Sequence, residues 1–183
     1  MRIIAGDARG RRIEAPEGRD TRPTLDRVRE NLFNMLQGEI AGSHVLDLFA
    51  GSGALSFEAL SRGAETAFLA DHDRKAIAVE KKNAESLGYR DRVRIMQADW
   101  HKALKEIESD GLRFDIVFLD PPYAMTGLKD VFAGLIPVLS PEALIILEHE
   151  AGKKPETGEG FDCFRERSWG FCGVSFYRRT GAP

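Results

Sequence analysis

Asp120-Pro121-Pro122-Tyr123 follows directly on the apolar run FDIVFL, Phe114 to Leu119. Two prolines fix φ and remove two N–H donors, so the turn is stiff and its carbonyls are left to accept. An acid, a carbonyl-presenting backbone and an aromatic face together suit a planar ring that carries an exocyclic NH2. Asp120 and the Pro121 carbonyl would accept from the amine hydrogens, and Tyr123 would stack on the ring. The chemistry this serves is transfer to an aryl amine, whose lone pair is delocalised into its ring and is a poor nucleophile. Acceptors on both N–H bonds localise that lone pair, while Asp120 stabilises the charge developing on nitrogen and can take the proton. The plainer reading is a Pro-Pro turn with an incidental Asp and Tyr.

A second constellation is Asp47-Leu48-Phe49-Ala50-Gly51-Ser52-Gly53, where an apolar run ends in glycines. In an open parallel sheet the ligand crevice lies beyond the carboxyl ends of the strands. Gly51 and Gly53 permit a tight turn and close approach of a ligand, and the helix N-terminus behind them suits an anionic group. Asp47 could meet a cationic amine, with Phe49, Ala50, Gly51, Ser52 and Gly53 lining the approach. A Walker A loop is excluded because no Gly-Lys-Ser/Thr follows, and the dinucleotide fingerprint is incomplete because Ser56 holds its last glycine position. An empty strand-to-helix turn is the alternative.

Asp71 lies 18 residues beyond Gly53 and could accept from both hydroxyls of a ribose. Asp99 could accept from an adenine amino group, with Trp100 covering the ring. Acid, glycines, acid and acid at successive strand ends suit an adenosine with an amino-acid tail better than a pyrophosphate. S-adenosylmethionine fits that description.

These residues need a scaffold that brings strand ends together. After a helix from Thr24, which can cap it, with Leu25, Val28, Leu32, Met35 and Leu36 at helical spacing, strands and helices alternate. The strands are His44–Phe49, Thr66–Ala70, Val93–Gln97, Phe114–Leu119 and Ala143–Leu147. The intervening helices are Ala54–Ser61, Arg74–Leu87, His101–Glu108 and a stripe from Leu128 to Leu139. Phe161 to Arg178 reads as a hairpin turned at Trp169–Gly170. The expectation is an α/β chain with a mixed sheet of seven strands, helices on both faces and a short N-terminal β extension. Residues 1–23 form that extension, not independent, and 24–183 the main domain.

The two motifs together resemble the class I S-adenosylmethionine-dependent amino-methyltransferases, with their Rossmann-like fold. The runs RIIAGDARGRRIEAP (Arg2 to Pro16), TRPTLDRVRENLFNML (Thr21 to Leu36), DLFAGSGALSFEALSRGA (Asp47 to Ala64) and WGFCGVSFYRR (Trp169 to Arg179) narrow the likeness. They resemble the bacterial small-subunit ribosomal RNA guanine-N2 methyltransferase family, over nearly the whole chain. The resemblance implies methyl transfer from S-adenosylmethionine to N2 of one guanosine in 16S rRNA or an assembling small subunit. It implies cofactor contacts at Asp47, Phe49 to Gly53, Asp71 and Asp99, and catalysis at Asp120 to Tyr123. It also lays the Thr21–Thr24 segment over the cofactor pocket, with Thr24 as a contact. Asp71 departs from the Glu more usual there, and a shorter acid reaches ribose if the strand end sits closer.

Composition sets bounds. Hydrophobic residues are 43% and charged residues 30%, an ordinary globular balance, and the net charge of −3 advertises no nucleic acid. Arg9, Arg11, Arg12 and Arg22 nevertheless crowd the N-terminal extension, interleaved with acids, and are the candidates for RNA phosphates; a solvated, charge-balanced face is the alternative. Cys163 and Cys172 form no Cys-x-x-Cys pair, the four histidines lack metal-ligand spacing, and no metal is expected. The start has no apolar stretch long enough for a secretory signal, and no run approaches the length of a membrane span. A cytoplasmic monomer is expected. The rivals are an adenine-N6 DNA methyltransferase, disfavoured because this length leaves no room for a target-recognition domain, and an RNA- or nucleotide-binding module without turnover.

Overall fold

The structure, a computed structural model, describes residues 1–16 and 23–181, with the backbone alone for residues 23–25. Five strands run parallel: β1 (His44–Asp47), β2 (Thr66–Asp71), β3 (Val93–Gln97), β4 (Phe114–Leu119) and β5 (Leu139–Glu150). A hairpin of β6 (Phe161–Trp169) and β7 (Cys172–Arg179) adds antiparallel to β5, giving one sheet in the order β3-β2-β1-β4-β5-β7-β6. Around it lie α1 (Pro23–Met35), α2 (Ala54–Ser61), α3 (Arg74–Leu87), α4 (Trp100–Ser109) and α5 (Leu128–Leu135). The seven-stranded mixed sheet anticipated from the sequence is present.

Local chemistry sets the helix limits. Asp73 and Asp99 begin α3 and α4 by accepting the N–H groups of Lys75 and Lys102, both at 2.9 Å, and Gly88 closes α3. Several boundaries differ from expectation: β1 ends at Asp47 rather than Phe49, β2 runs on to Asp71, α4 gains one residue at each end, and three further differences have a clear cause. α1 starts at Pro23, so Thr24 is not its cap but a residue of its first turn; proline suits that position because its missing N–H is not needed there. α5 stops at Leu135, because Pro137 turns the remaining apolar residues into a short 3-10 turn, and Leu139 belongs to the next strand. β5 outruns its apolar core because β7 pairs with it as far as Glu150.

Register sorts the side chains into two cores. Val45, Ile116, Phe118, Leu144 and Ile146 face α1 and α2, while Leu46, Val117, Leu119, Ile145 and Leu147 face α4 and α5. β1, β4 and β5 are buried on both faces, as a central parallel sheet requires, whereas β3 and β6 at the two edges are largely uncovered.

The N-terminal segment closes on itself through one antiparallel bridge, Arg2 to Arg12, and buries Ile3, Ala8 and Ile13 in the first core. Its anchor is Glu58 of α2, fully buried. The Glu58 carboxylate accepts from Ile4 N–H (2.8 Å) and Ala5 N–H (3.0 Å), and from Arg62 Nε (2.7 Å), with Arg29 Nε 3.9 Å away. Next to it, Ser61 Oγ accepts from Ala8 N–H and donates to the Ala5 carbonyl. Gly6 has φ +85°, and a Cβ there would lie 1.7 Å from the Ser61 carbonyl oxygen, so the segment reaches α2 only with glycine at this point.

Removing a buried charge partner leaves the other charge uncompensated. Glu58→Ala is therefore expected to lower the unfolding free energy by roughly 3–5 kcal/mol, read as a fall in the urea midpoint at unchanged slope.

Candidate active site

The carboxyl ends of the parallel strands supply the site. Asp47 closes β1 opposite Phe118 of β4, Asp71 closes β2, Asp120 follows β4, and Glu148 lies near the end of β5. Leu119 is level with Leu147, so Asp120 and Glu148 are the next residues of adjacent strands. A cavity of about 160 Å3 brings Asp47, Phe49, Ala50, Ser52, Asp120 and Glu148 together. α1 roofs it through Val28, Arg29 and Leu32, and the N-terminal segment adds Met1, Ala15 and Pro16.

The glycine loop takes its shape from two turns. Gly51 and Gly53 have φ +59° and +74°, and a Cβ on Gly53 would lie 2.5 Å from the Phe57 ring and 2.8 Å from Leu69. Gly53 begins α2 and its carbonyl accepts from Phe57 N–H at 2.8 Å. Asp71 holds the loop from the side: one carboxylate oxygen accepts Gly51 N–H and the other Asp73 N–H, both at 2.9 Å. Asn83 of α3 ties the loop to the N-terminal segment. Its amide donates to the Ser52 and Glu14 carbonyls at 3.0 Å and accepts from Glu14 N–H at 2.8 Å.

The second motif forms the opposite wall. Pro121, Pro122, Tyr123 and Glu148 line a smaller cavity of about 70 Å3 with Met125, Glu150 and Lys153. Tyr123 is 59% exposed and open to a partner from solvent. Partial burial and the carboxylates of Glu148 and Asp120 push its phenol up to about 12, so the hydroxyl is neutral. One expectation changes here. The Pro122 carbonyl is not left over but accepts Met125 N–H at 2.8 Å, which holds the turn closed behind Tyr123.

Electrostatics centre on buried acids. Burial raises Asp47 to about 7, and Ser56 Oγ donates to it at 3.0 Å. Glu80 of α3 is raised to about 9 by burial and by Asp47 and Asp71, and neither of its oxygens has a hydrogen-bond partner. Arg29 lies above this floor, 5% exposed, paired with Asp26 at 3.0 Å, with its guanidinium also on the Arg2 carbonyl. The Glu148 carboxyl is raised by burial, and the Cys172 thiol beside it is raised by burial and by Glu148.

Other predicted residues fall elsewhere. Asp99 is exposed and spends one oxygen capping α4, and Trp100 is half-buried against the second core; neither lines the 160 Å3 cavity. Arg9 and Arg12 are exposed, and Arg12 lines a surface depression of about 590 Å3 with Arg2 and Lys82. Arg11 is committed to the protein, its guanidinium donating to the Leu87 carbonyl at 3.0 Å and to that of Ser86. Arg22 and the Thr24 side chain lie outside the described residues. Glu58, Asn83 and Glu148 carry no motif signal; only parity along β5 could have pointed to Glu148. Among the described residues no group of three His, Cys, Asp or Glu side chains could hold a metal ion, and no helix is long and apolar enough to cross a membrane.

The chain is similar to known proteins in sequence and in fold. Ribosomal RNA small subunit methyltransferase D of Haemophilus influenzae is 36% identical over 181 residues, 97% of this chain and 93% of that protein. The protein of the same name from Escherichia coli K12 is 37% identical over 183 residues, 98% of this chain and 90% of that one. A solved Escherichia coli structure, 37% identical, superposes with a TM-score of 0.83 over 98% of this chain and 97% of that chain. The family model described as conserved hypothetical protein 95 matches residues 1–178, nearly end to end, and the chain belongs to that family.

Proposed function

We propose that the protein transfers a methyl group from S-adenosylmethionine to the exocyclic N2 of a guanosine in small-subunit rRNA. The observation that carries this reading is the shared cavity: Asp47 and the glycine loop on one wall, Asp120 on the other, and the Tyr123 face immediately outside. Relatives of nearly matching length bear the name ribosomal RNA small subunit methyltransferase D.

The residues present fit the cofactor. A zwitterionic amino-acid end needs an acid and a base, and the cavity offers buried Asp47 below and Arg29 above. The ribose and adenine would extend past Asp71 and Asp99, each of which keeps accepting capacity beyond the backbone bonds it makes. When bound, S-adenosylmethionine supplies an electrophilic methyl on sulfur.

The protein's own part is to prepare the nucleophile. Asp120 and the Pro121 carbonyl accept the two N2 hydrogens, which aims the nitrogen lone pair into the cavity. As nitrogen becomes positive, the carboxylate of Asp120 stabilises it and receives the proton. Tyr123 stacks on the guanine, which must leave its own stack to arrive there, as an unpaired or splayed nucleotide can. Arg2 and Arg12 line a depression next to the cavity, with Met1 common to both, and suit the flanking phosphates, while Lys82 there is paired with Glu14 at 2.6 Å. The enzyme is read as a cytoplasmic monomer.

Three outcomes follow from this reading. With labelled cofactor and small-subunit particles from cells lacking the enzyme, Asp120→Ala is expected to lose on the order of 10²–10³ in rate with its fold retained, and label in DNA adenine instead would overturn the reading. Tyr123→Ala is expected to weaken RNA substrate use by roughly 1–3 kcal/mol, measured as kcat/KM, while S-adenosylhomocysteine binding by calorimetry stays unchanged. The third concerns pH. Ligand-free Asp47 titrates at about 7, and a cationic amine beside it favours the ionised form. Cofactor affinity is therefore greatest well above pH 7 and falls as pH drops through it, with proton release on binding; in Asp47→Asn affinity is weaker at pH 8 and its fall through pH 7 is reduced.

A further inference from the structure

An amine on a purine does not arrive alone. In guanine the C2 amine is flanked by N1–H, a donor, whereas in adenine the C6 amine is flanked by a bare N1, an acceptor. Asp120 and the Pro121 carbonyl can satisfy the amine of either base. A site that takes guanine and refuses adenine needs a third acceptor beside that pair, on the side where N1 falls.

The sheet supplies one. Asp120 and Glu148 follow the level pair Leu119 and Leu147 on neighbouring parallel strands. Side chains alternate along β5, so Glu148 shares the face of Ile146, the face onto which Asp47 also projects. Glu148 belongs to the wall of the cavity that holds Asp47 and Asp120, and to the wall of the smaller one that holds Pro121, Pro122 and Tyr123. It therefore stands between the point where the methyl group is delivered and the aromatic face where the base would rest. The other acid of that second wall, Glu150, is paired with Lys153 at 2.9 Å. His149, between them, is held by Ser175 Oγ at 2.8 Å and the Glu150 carbonyl at 2.9 Å, and is buried on the other face of the strand. Cys172 lies beside Glu148, which together with burial raises its thiol, and that thiol donates to the Gly173 carbonyl at 3.9 Å.

We propose that the Glu148 carboxylate accepts N1–H of the target guanine and is the residue that selects guanine over bases lacking that donor. This rests on the guanine-N2 reading above. Guanine gains a charge-assisted hydrogen bond, and a base with a bare N1 sets a lone pair against the carboxylate and leaves it desolvated without a donor.

The test uses small-subunit rRNA ligated to carry either guanine or 2-aminopurine at the modified nucleotide, which mass spectrometry locates first. 2-Aminopurine keeps the C2 amine but has a bare N1. The wild type is expected to favour guanine by on the order of 10²-fold in kcat/KM. Glu148→Gln, whose amide can donate to a bare N1, is expected to lower guanine turnover roughly 10-fold to 100-fold while 2-aminopurine turnover holds or rises, so that the preference collapses. Glu148→Asp, which keeps an acceptor, is expected to retain the preference at a reduced rate. S-adenosylhomocysteine binding by calorimetry verifies the fold of each variant. A guanine preference that survives intact in Glu148→Gln, including the case where both substrates fall together, overturns the proposal, and should Glu148→Gln fail to fold, loss of the preference in Glu148→Asp does so. A wild type that leaves guanine N2 unmethylated refutes the underlying reading before any variant is made.

Discussion

In a parallel sheet, residues level with one another on neighbouring strands turn their side chains to the same face, and their carboxyl ends finish on the same edge. That geometric rule is what the site depends on. It sets Asp47 level with Phe118 and puts Asp120 beside Glu148. Slip β4 by one residue against β1 and the Phe114–Leu119 run would exchange its two faces, carrying Asp120 away from Asp47. The pairing is held by apolar bulk on both sides, Phe118 and Ile146 on one face and Leu119 and Leu147 on the other, all buried. The cores thus fix the relative placement of polar groups they never touch.

The scaffold was legible from periodicity alone. α2, α3, β3 and β4 have the limits read from apolar spacing and flanking glycines, because each is bounded by a residue with a local reason to stop or start the element, as Asp73 and Gly88 do for α3. Three of the misplaced boundaries share a cause: Pro23, Pro137 and the β5–β7 ladder act through backbone constraints or long-range pairing that an apolar count does not register. The two motifs also announced themselves, since prolines and paired glycines are rare enough together to mark a purpose.

What stayed hidden was the support. Glu58 and Asn83 read as ordinary helix polar residues, yet Glu58 is fully buried and Asn83 nearly so, each satisfying backbone groups more than 50 positions away in the case of Glu58 and 69 in the case of Asn83 with Glu14. Such contacts are tertiary and leave no spacing to read. The arginine-rich opening is divided: Arg11 fastens the segment to the end of α3, whereas Arg9 and Arg12 are exposed, and composition alone does not separate them. Asp71 was legible as a strand-end acid, but its bond to Gly51 N–H, which secures the turn, was not.

The sheet's free margins carry a further consequence. β6 is outermost on one side, and five consecutive residues from Phe164 to Ser168 are exposed, with Arg165, Glu166 and Arg167 at their centre. On the far margin Arg94 of β3 binds Glu106 and Asp110 at 2.5 Å each. Unpaired amide and carbonyl rows invite another chain to extend the sheet, and a row of charges makes that union electrostatically and sterically awkward. Charged margins of this kind oppose extension of an open sheet by a second backbone.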